Sequence, residues 1–282
     1  MSTQSFRKSD LFDVSLALML GMGIVAIYLM VTIAAHWIAP YGQTEIVGDV
    51  WEPSSARFWL GTDNLGRDMF SRLIYGTQTT LIIAILATLI AFVGGSFLGT
   101  VSALSQGGWT DWMLSRAVDV IMAFPVLIFA LVVISGLGSS PALIIAIIAV
   151  VHGSRVFRIS RAVAMNIVSQ DYIEICRLRR DPMLYVIFRE ILPNAAPPLA
   201  AEYGVRLNFA ILFVSSLSFL GLGIQPPDAD WGSMVRENSE AMAYGIPTPL
   251  YPAFALMIFS FGINLIVDWS LSRTTRAAKG EH

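Results

Sequence analysis

The chain has 282 residues and a formal net charge of −2; 55% of its residues are hydrophobic and 13% charged. Soluble domains carry roughly 25% charged residues, so this balance excludes an ordinary soluble domain and indicates a polytopic membrane protein. The near-neutral charge offers nothing to nucleic acid, and the single cysteine, Cys176, excludes an intrachain disulfide.

A spanning helix needs about 20 mostly apolar residues. After a short tail, 1–13, residues 14–36 fit a first span. This run is longer than the apolar core of a signal peptide, and no small-residue cleavage site precedes His36-Trp37, so it reads as retained. An external segment follows at 37–78, then a second span at about 79–104, where Gly94, Gly95 and Gly99 permit close helix approach. The next charge-free stretch, 120–151, is too long for one span and is punctuated by Gly136 through Pro141. It reads as a hairpin of two helices, about 115–136 and 140–157. A fifth helix is expected at about 195–224, beginning after Pro197-Pro198, and a sixth at about 250–272, before a tail, 273–282. The expected fold is therefore all-α, a polytopic bundle of six transmembrane helices. Thirteen of the eighteen Lys and Arg fall on one side and four on the other, with Arg206 inside a helix; this bias places both termini in the cytoplasm. Trp37, Tyr41, Trp51, Trp59, Trp231 and Tyr244 cluster in the two external segments, where they read as interfacial belt residues or as a rim that receives a partner.

The stretch 158–194 is cytoplasmic in this topology and is charged, with apolar residues at helical spacing: Val156, Ile159, Val163, Ile167, Ile173, Cys176, Leu184, Ile187, Ile191. Asp181-Pro182 suits a helix start, with Asp as N-cap and Pro at the first helical position. The pattern reads helix, turn at 179–181, helix, with a second break at Pro193. Its exposed end is basic, with Arg177, Arg179 and Arg180, and is either a loop obeying the positive-inside rule or a docking element.

Ionisable groups within spans default to functional hypotheses. Glu202 and Arg206 stand at the favourable i, i+4 spacing, either as a self-neutralising pair or at the gate of a pathway. Asn208, Asn264 and Asp268 complete the candidate path residues. Asp119 is expected in the first turns of the third helix, where it complements the dipole, and His152 near a membrane interface. There is no GxxxxGK[ST] run, no paired His/Cys spacing and no GxSxG. Energy must then come from another subunit or an ion gradient. A secondary transporter using Glu202, Arg206 and Asp268 as a relay would be expected to show internal repeats, and none is evident. An intramembrane enzyme would need a nucleophile–base or metal set.

Residues 171–177, DYIEICR, followed by 188–194, FREILPN, resemble the EAA loop of ABC-importer permeases. Further blocks are similar to the dipeptide/oligopeptide/nickel branch, "C"-type subunit: 60–76, LGTDNLGRDMFSRLIYG; Ala123-Phe124-Pro125; 216–223, SLSFLGLG; Pro226-Pro227; Trp231-Gly232; Asn264-Leu265 and Asp268. The resemblance implies a type I importer permease fold in a bacterial inner membrane, with 37–78 periplasmic and a five-helix core over 79–272. It implies a homologous "B"-type permease, one or two cytoplasmic ATPase subunits that bind ATP and Mg, a periplasmic or lipid-anchored binding protein, and the lipid bilayer as partners, with no cofactor in this chain. It assigns ATPase coupling to Tyr172, Glu174, Ile175, Cys176, Arg177, Arg180 and Asp181. Ile175 and Cys176 replace two alanines of that pattern, Arg180 a glycine and Val214 a glutamate. A left-handed arginine costs about 1 kcal/mol or more, so Asp181-Pro182 is expected to build the turn instead.

Overall fold

A computed structural model describes residues 8–278, with side chains described over 16–272. Most of the expected tails, 1–13 and 273–282, lies outside these limits. The described chain runs α1 (Lys8–Ile38), α2 (Met69–Leu104), α3 (Trp109–Ala123), α4 (Val126–Leu137), α5 (Pro141–Val168), α6 (Asp171–Leu178), α7 (Met183–Tyr185), a π-helical segment (Val186–Ile191), α8 (Leu192–Phe219), α9 (Trp231–Glu237), a 3-10 turn (Ser239–Tyr244) and α10 (Leu250–Ala278). Among the described residues only two isolated bridges represent extended pairing.

Four helices are long and apolar enough to cross a membrane: α1 over Leu16–Ile38, α2, α5, and α10 over Leu250–Ser272; α3 with α4 makes a fifth if the bent pair counts as one span. α8 has 28 residues but falls short of the same apolarity, and packs against α2, α5, α9 and α10.

The structure departs from the sequence reading in several places. The single helix over about 115–136 is two helices meeting at 88°. The bend falls at Phe124-Pro125, where Phe124 is extended (φ −89°, ψ 139°), as a residue before proline prefers. α5 continues to Val168, beyond the expected end at 157, because its polar second half finds partners on a neighbouring helix: Arg158 reaches Asp119 at 2.7 Å, and Arg161 holds Asp111 through two bonds of 2.8 and 2.9 Å. Asp119 thus sits late in α3 as an ion-pair partner, and the acidic residue of the first turn is Asp111. α8 starts at Leu192 and runs through Pro197 and Pro198, leaving the carbonyls of Pro193 and Asn194 without their helical donors. Upstream there is no break at Pro193; a π-helical turn leads directly into α8.

α2 and α5 form the centre. A Cβ built on Gly95 would lie 2.6 Å from the Gly153 carbonyl oxygen, and one on Gly99 would lie 2.6 Å from that of Phe157. The two backbones therefore touch where lipid-soluble helices gain most from close packing. Gly94, one residue away, faces open space. Around this seam Leu81, Ala84, Ala87, Ile144, Ile148 and Val151 join Ile211, Val214, Leu217, Phe259 and Ile263 in the main core.

The two segments expected to be external fold together as a cap at the α2 N-terminus. Asp68 caps α2, accepting from the Ser71 amide at 2.8 Å. Asp63, fully buried, bonds Arg72, itself 1% exposed, and accepts from Arg67 Nε at 2.7 Å. Glu237 of α9 bonds the same two arginines, at 3.0 Å from Arg67 and 2.9 Å from Arg72. Asn238 accepts from the Asn64 amide at 3.0 Å and from Trp51 Nε1 at 3.3 Å. Trp231 is wholly buried; its Nε1 donates to Thr77 Oγ1 at 3.3 Å, and its ring meets Tyr28 edge-on at 5.9 Å. The aromatic residues accordingly divide: Trp37, Trp59 and Tyr244 are exposed, whereas Trp231 is core.

Removing one partner from a buried ion pair leaves a charge without compensation, which costs on the order of 3–5 kcal/mol. Arg72→Ala is expected to lower the thermal unfolding midpoint of the detergent-purified protein sharply. Glu237→Gln is expected to lower it less, because Asp63 still neutralises Arg72. Equal midpoints for Arg72→Ala and the parent would refute this account of the cap.

Candidate functional site

At the end of α2 opposite the cap, α6 packs beside the ends of α2 and α5. Asp171 and Glu174 occupy its first turn and Arg177 its last, each matched to the helix dipole. Ile173 and Cys176, one turn apart, face inward against Ala103 of α2, Ala164 of α5, Val186 and Ile191. Fully burying a side chain such as Ile173 is worth roughly 1.5–3 kcal/mol, so two residues suffice to seat the helix on the α2–α5 pair. Everything else points outward. Tyr172, Glu174, Ile175, Arg177 and Arg180 are exposed; Leu178 is 78% exposed, Ile175 54% and Phe188 60%. Burial, with the Glu190 carboxylate near it, pushes the Tyr172 phenol above its ordinary pKa. Asn194 Nδ2 donates to Tyr172 Oη at 3.3 Å and to the Glu190 carbonyl at 2.5 Å, so the two ends of the motif are tied together.

The turn differs from the expectation. The Asp181 amide donates to the Cys176 carbonyl and the Arg180 amide to that of Arg177, both at 3.0 Å, the double bond pattern of a Schellman cap. Arg180 occupies its left-handed position, with φ +56°. Asp181 does not cap the next helix; its carboxylate takes Arg179 Nη2 at 2.6 Å, and Pro182 precedes α7. The same two-bond cap ends α8, with Gly221 in the left-handed position (φ +84°).

The intramembrane candidates separate into two places. Glu202 and Arg206 pair at 2.5 Å, with the Arg206 guanidinium 5.5 Å from the Phe209 ring centre. Asn208 donates to Asn264 at 3.4 Å and so links α8 to α10. Asp268, one turn beyond Asn264, is exposed and bonds none of the other candidates. Between these flanks α8 presents Phe209, Leu212, Ser216 and Phe219 outward.

Residues 95–278 match the family model for "binding-protein-dependent transport system inner membrane component". The chain is 33% identical to the glutathione transport system permease protein of Pectobacterium atrosepticum over 216 residues, covering 77% of this chain and 71% of that protein. It is 30% identical to the dipeptide transport system permease protein of Alkalihalophilus pseudofirmus over 88% of this chain and 82% of the relative. A di/tripeptide permease protein of Pseudomonas aeruginosa is 32% identical over 83% and 79%. The chain belongs to the family of binding-protein-dependent transport permeases. It is a multi-pass inner-membrane component of a transport system and not a catalytic enzyme by itself.

In this permease, sequence reasoning missed the Asp63–Arg67–Arg72–Glu237 cluster, because Glu237 stands 170 positions from Arg67 and 165 from Arg72 and carries no local signal. His152, expected near a membrane interface, is buried within the bundle and packs 6.3 Å from Phe213.

Because a left-handed arginine costs about 1 kcal/mol relative to glycine, Arg180→Gly is expected to slow hydrogen exchange of the amides of Arg180 and Asp181. A β-branched Arg180→Val is expected to speed it by more. Faster exchange in Arg180→Gly would contradict the assigned turn.

Proposed function

We propose that this permease is the "C"-type subunit of an ATP-driven importer for peptides or similar small solutes. It has six spans with both termini in the cytoplasm. The peptide class is supported by the printed functions of its relatives, which are dipeptide, di/tripeptide and glutathione permeases. The orientation is supported by the Lys and Arg bias, and the sixth span is α8, shielded by its neighbours. In this orientation the cap is periplasmic and α6 cytoplasmic.

The observation that carries the reading is the outward face of α6 and α7. Ile175, Leu178, Met183 and Leu184 leave apolar surface uncovered at the one end where Arg177, Arg179 and Arg180 gather. An exposed apolar patch with a charged rim suits a protein partner. Here that partner is a cytoplasmic ATPase subunit, one or two per complex, binding ATP and Mg. Tyr172, Glu174, Ile175, Arg177 and Arg180 meet it; Cys176 acts from beneath as the seat, and Asp181 by fixing Arg179. Nucleotide binding moves α6 as a lever, and α6, seated on α2 and α5, moves the bundle as a rigid body. The solute is delivered by a periplasmic or lipid-anchored binding protein. It passes along the outward face of α8 between this chain and a homologous "B"-type permease, flanked by Glu202 and Arg206 on one side and by Asn208, Asn264 and Asp268 on the other.

Two variants test the docking face. Leu178→Asp, and Glu174→Arg combined with Arg177→Glu, are expected to insert normally yet lose ATPase co-purification and solute uptake by about tenfold or more, the cost of an interface anchor. Full assembly and uptake in both variants would show that α6 is not the contact.

A further inference from the structure

The arginines on α5 and α8 are unequally served. Arg158 has Asp119, Arg161 has Asp111, and Arg206 has Glu202. Arg155, half-buried on the same helix as the first two, makes no ion pair or hydrogen bond to another described residue. One turn before it stands His152, 1% exposed, whose Nδ1 has no hydrogen-bond partner among the described residues.

These groups share one seam. His152 and Arg155 are three residues apart and so lie on one face of α5. The 6.3 Å approach of His152 to Phe213 turns that face toward α8. Phe213, Arg206 and Glu202 are spaced seven and four residues apart and form one stripe of α8. The charges of Arg206 and Glu202 reach Arg155, and those of both arginines reach His152. Counting His152 as a neutral imidazole, two arginines and one glutamate leave one positive charge without compensation among these four groups.

We infer that Arg155 and His152, beside the Glu202–Arg206 pair, form a subsite for a single carboxylate carried by the transported solute. The inference rests on the importer reading above and adds the chemistry of what is carried. One carboxylate neutralises the seam. The planar fork of Arg155 accepts it in two parallel bonds, and the Nδ1 side of His152 supplies a further polar partner. The Phe209 ring beneath Arg206 holds the second guanidinium in place. A peptide offers such a group at its C-terminus; an uncharged solute offers none.

The test uses the intact importer complex in phosphatidylcholine nanodiscs. Phenylglyoxal modification of Arg155 is followed by peptide mass spectrometry, with Arg158 as internal control. Alanyl-alanine is expected to slow modification of Arg155 and not of Arg158, whereas its C-terminal amide slows neither. No protection by the dipeptide, or equal protection by the amide, would overturn the subsite. So would protection by phosphatidylglycerol nanodiscs alone with no further effect of the dipeptide, which would assign Arg155 to a lipid headgroup. In uptake, Arg155→Gln is expected to reduce alanyl-alanine transport about tenfold, the loss of a charged hydrogen bond, with Arg155→Lys restoring it only in part, because an ammonium keeps the charge and loses the two-bond fork. Parent complex that protects Arg155 yet takes up no dipeptide would count against the importer reading and leave the subsite standing.

Discussion

The contact on which the rest depends is the backbone approach of α2 and α5. Gly95 and Gly99 place α2 against the carbonyls of Gly153 and Phe157 with no side chain between them. In a bilayer the hydrophobic effect does not distinguish helix from lipid, so dispersion at such close range must hold the pair. Any larger residue would separate the axes, and with them both functional ends. α2 has 36 residues and so spans about 54 Å at 1.5 Å per residue. It is long enough to begin in the cap and finish beneath α6.

Each end uses this pair differently. At the cap, α2 contributes Asp68, Arg72, Thr77 and Thr80, and the interactions are polar and buried. A buried cluster of this kind adds little net stability over an apolar one but punishes any rearrangement that separates its members. It locks α9 to the start of α2. At the other end Ala103 and Ala164 offer small apolar surfaces to Ile173 and Cys176, and among the described residues no ion pair fixes α6 to the bundle. A seat made of a few apolar contacts can tilt and recover. The two ends of the α2–α5 pair are thus held by different forces, buried charges at the cap and small apolar contacts under α6.

Much of this was legible in the residues. Charge-free runs located α1, α2 and α10, and Gly136 to Pro141 marked the turn between α4 and α5. Helical spacing grouped Ile173 with Cys176, which the structure buries together although Cys176 was expected among the coupling residues, and the i, i+4 spacing paired Glu202 with Arg206. What escaped the reading was non-local. Asp119 has a respectable local role at a helix start, and only the arrival of Arg158 from α5 gives it another. The end of α5 was drawn too early because bilayer thickness limits the span and not the helix, which continues wherever its charges find partners. The 88° bend follows from Pro125, yet 115–136 is apolar enough to hide it.

Arg180 shows how a local rule can be read correctly and its consequence wrongly. The premise that a left-handed arginine is costly holds; the step from cost to avoidance does not. The Schellman cap satisfies two carbonyls of α6, and each net hydrogen bond contributes about 0.5–1.5 kcal/mol, enough to offset roughly 1 kcal/mol of backbone strain. Gly221 performs the same turn at the end of α8 without strain, so the chain has not lost access to the cheaper solution. What arginine adds at 180 is a guanidinium on the exposed end of α6, beside Arg177 and Arg179. If that end meets an ATPase, the strain is the cost of placing a third charge on the docking face, and glycine at this position would give a steadier turn with a weaker grip.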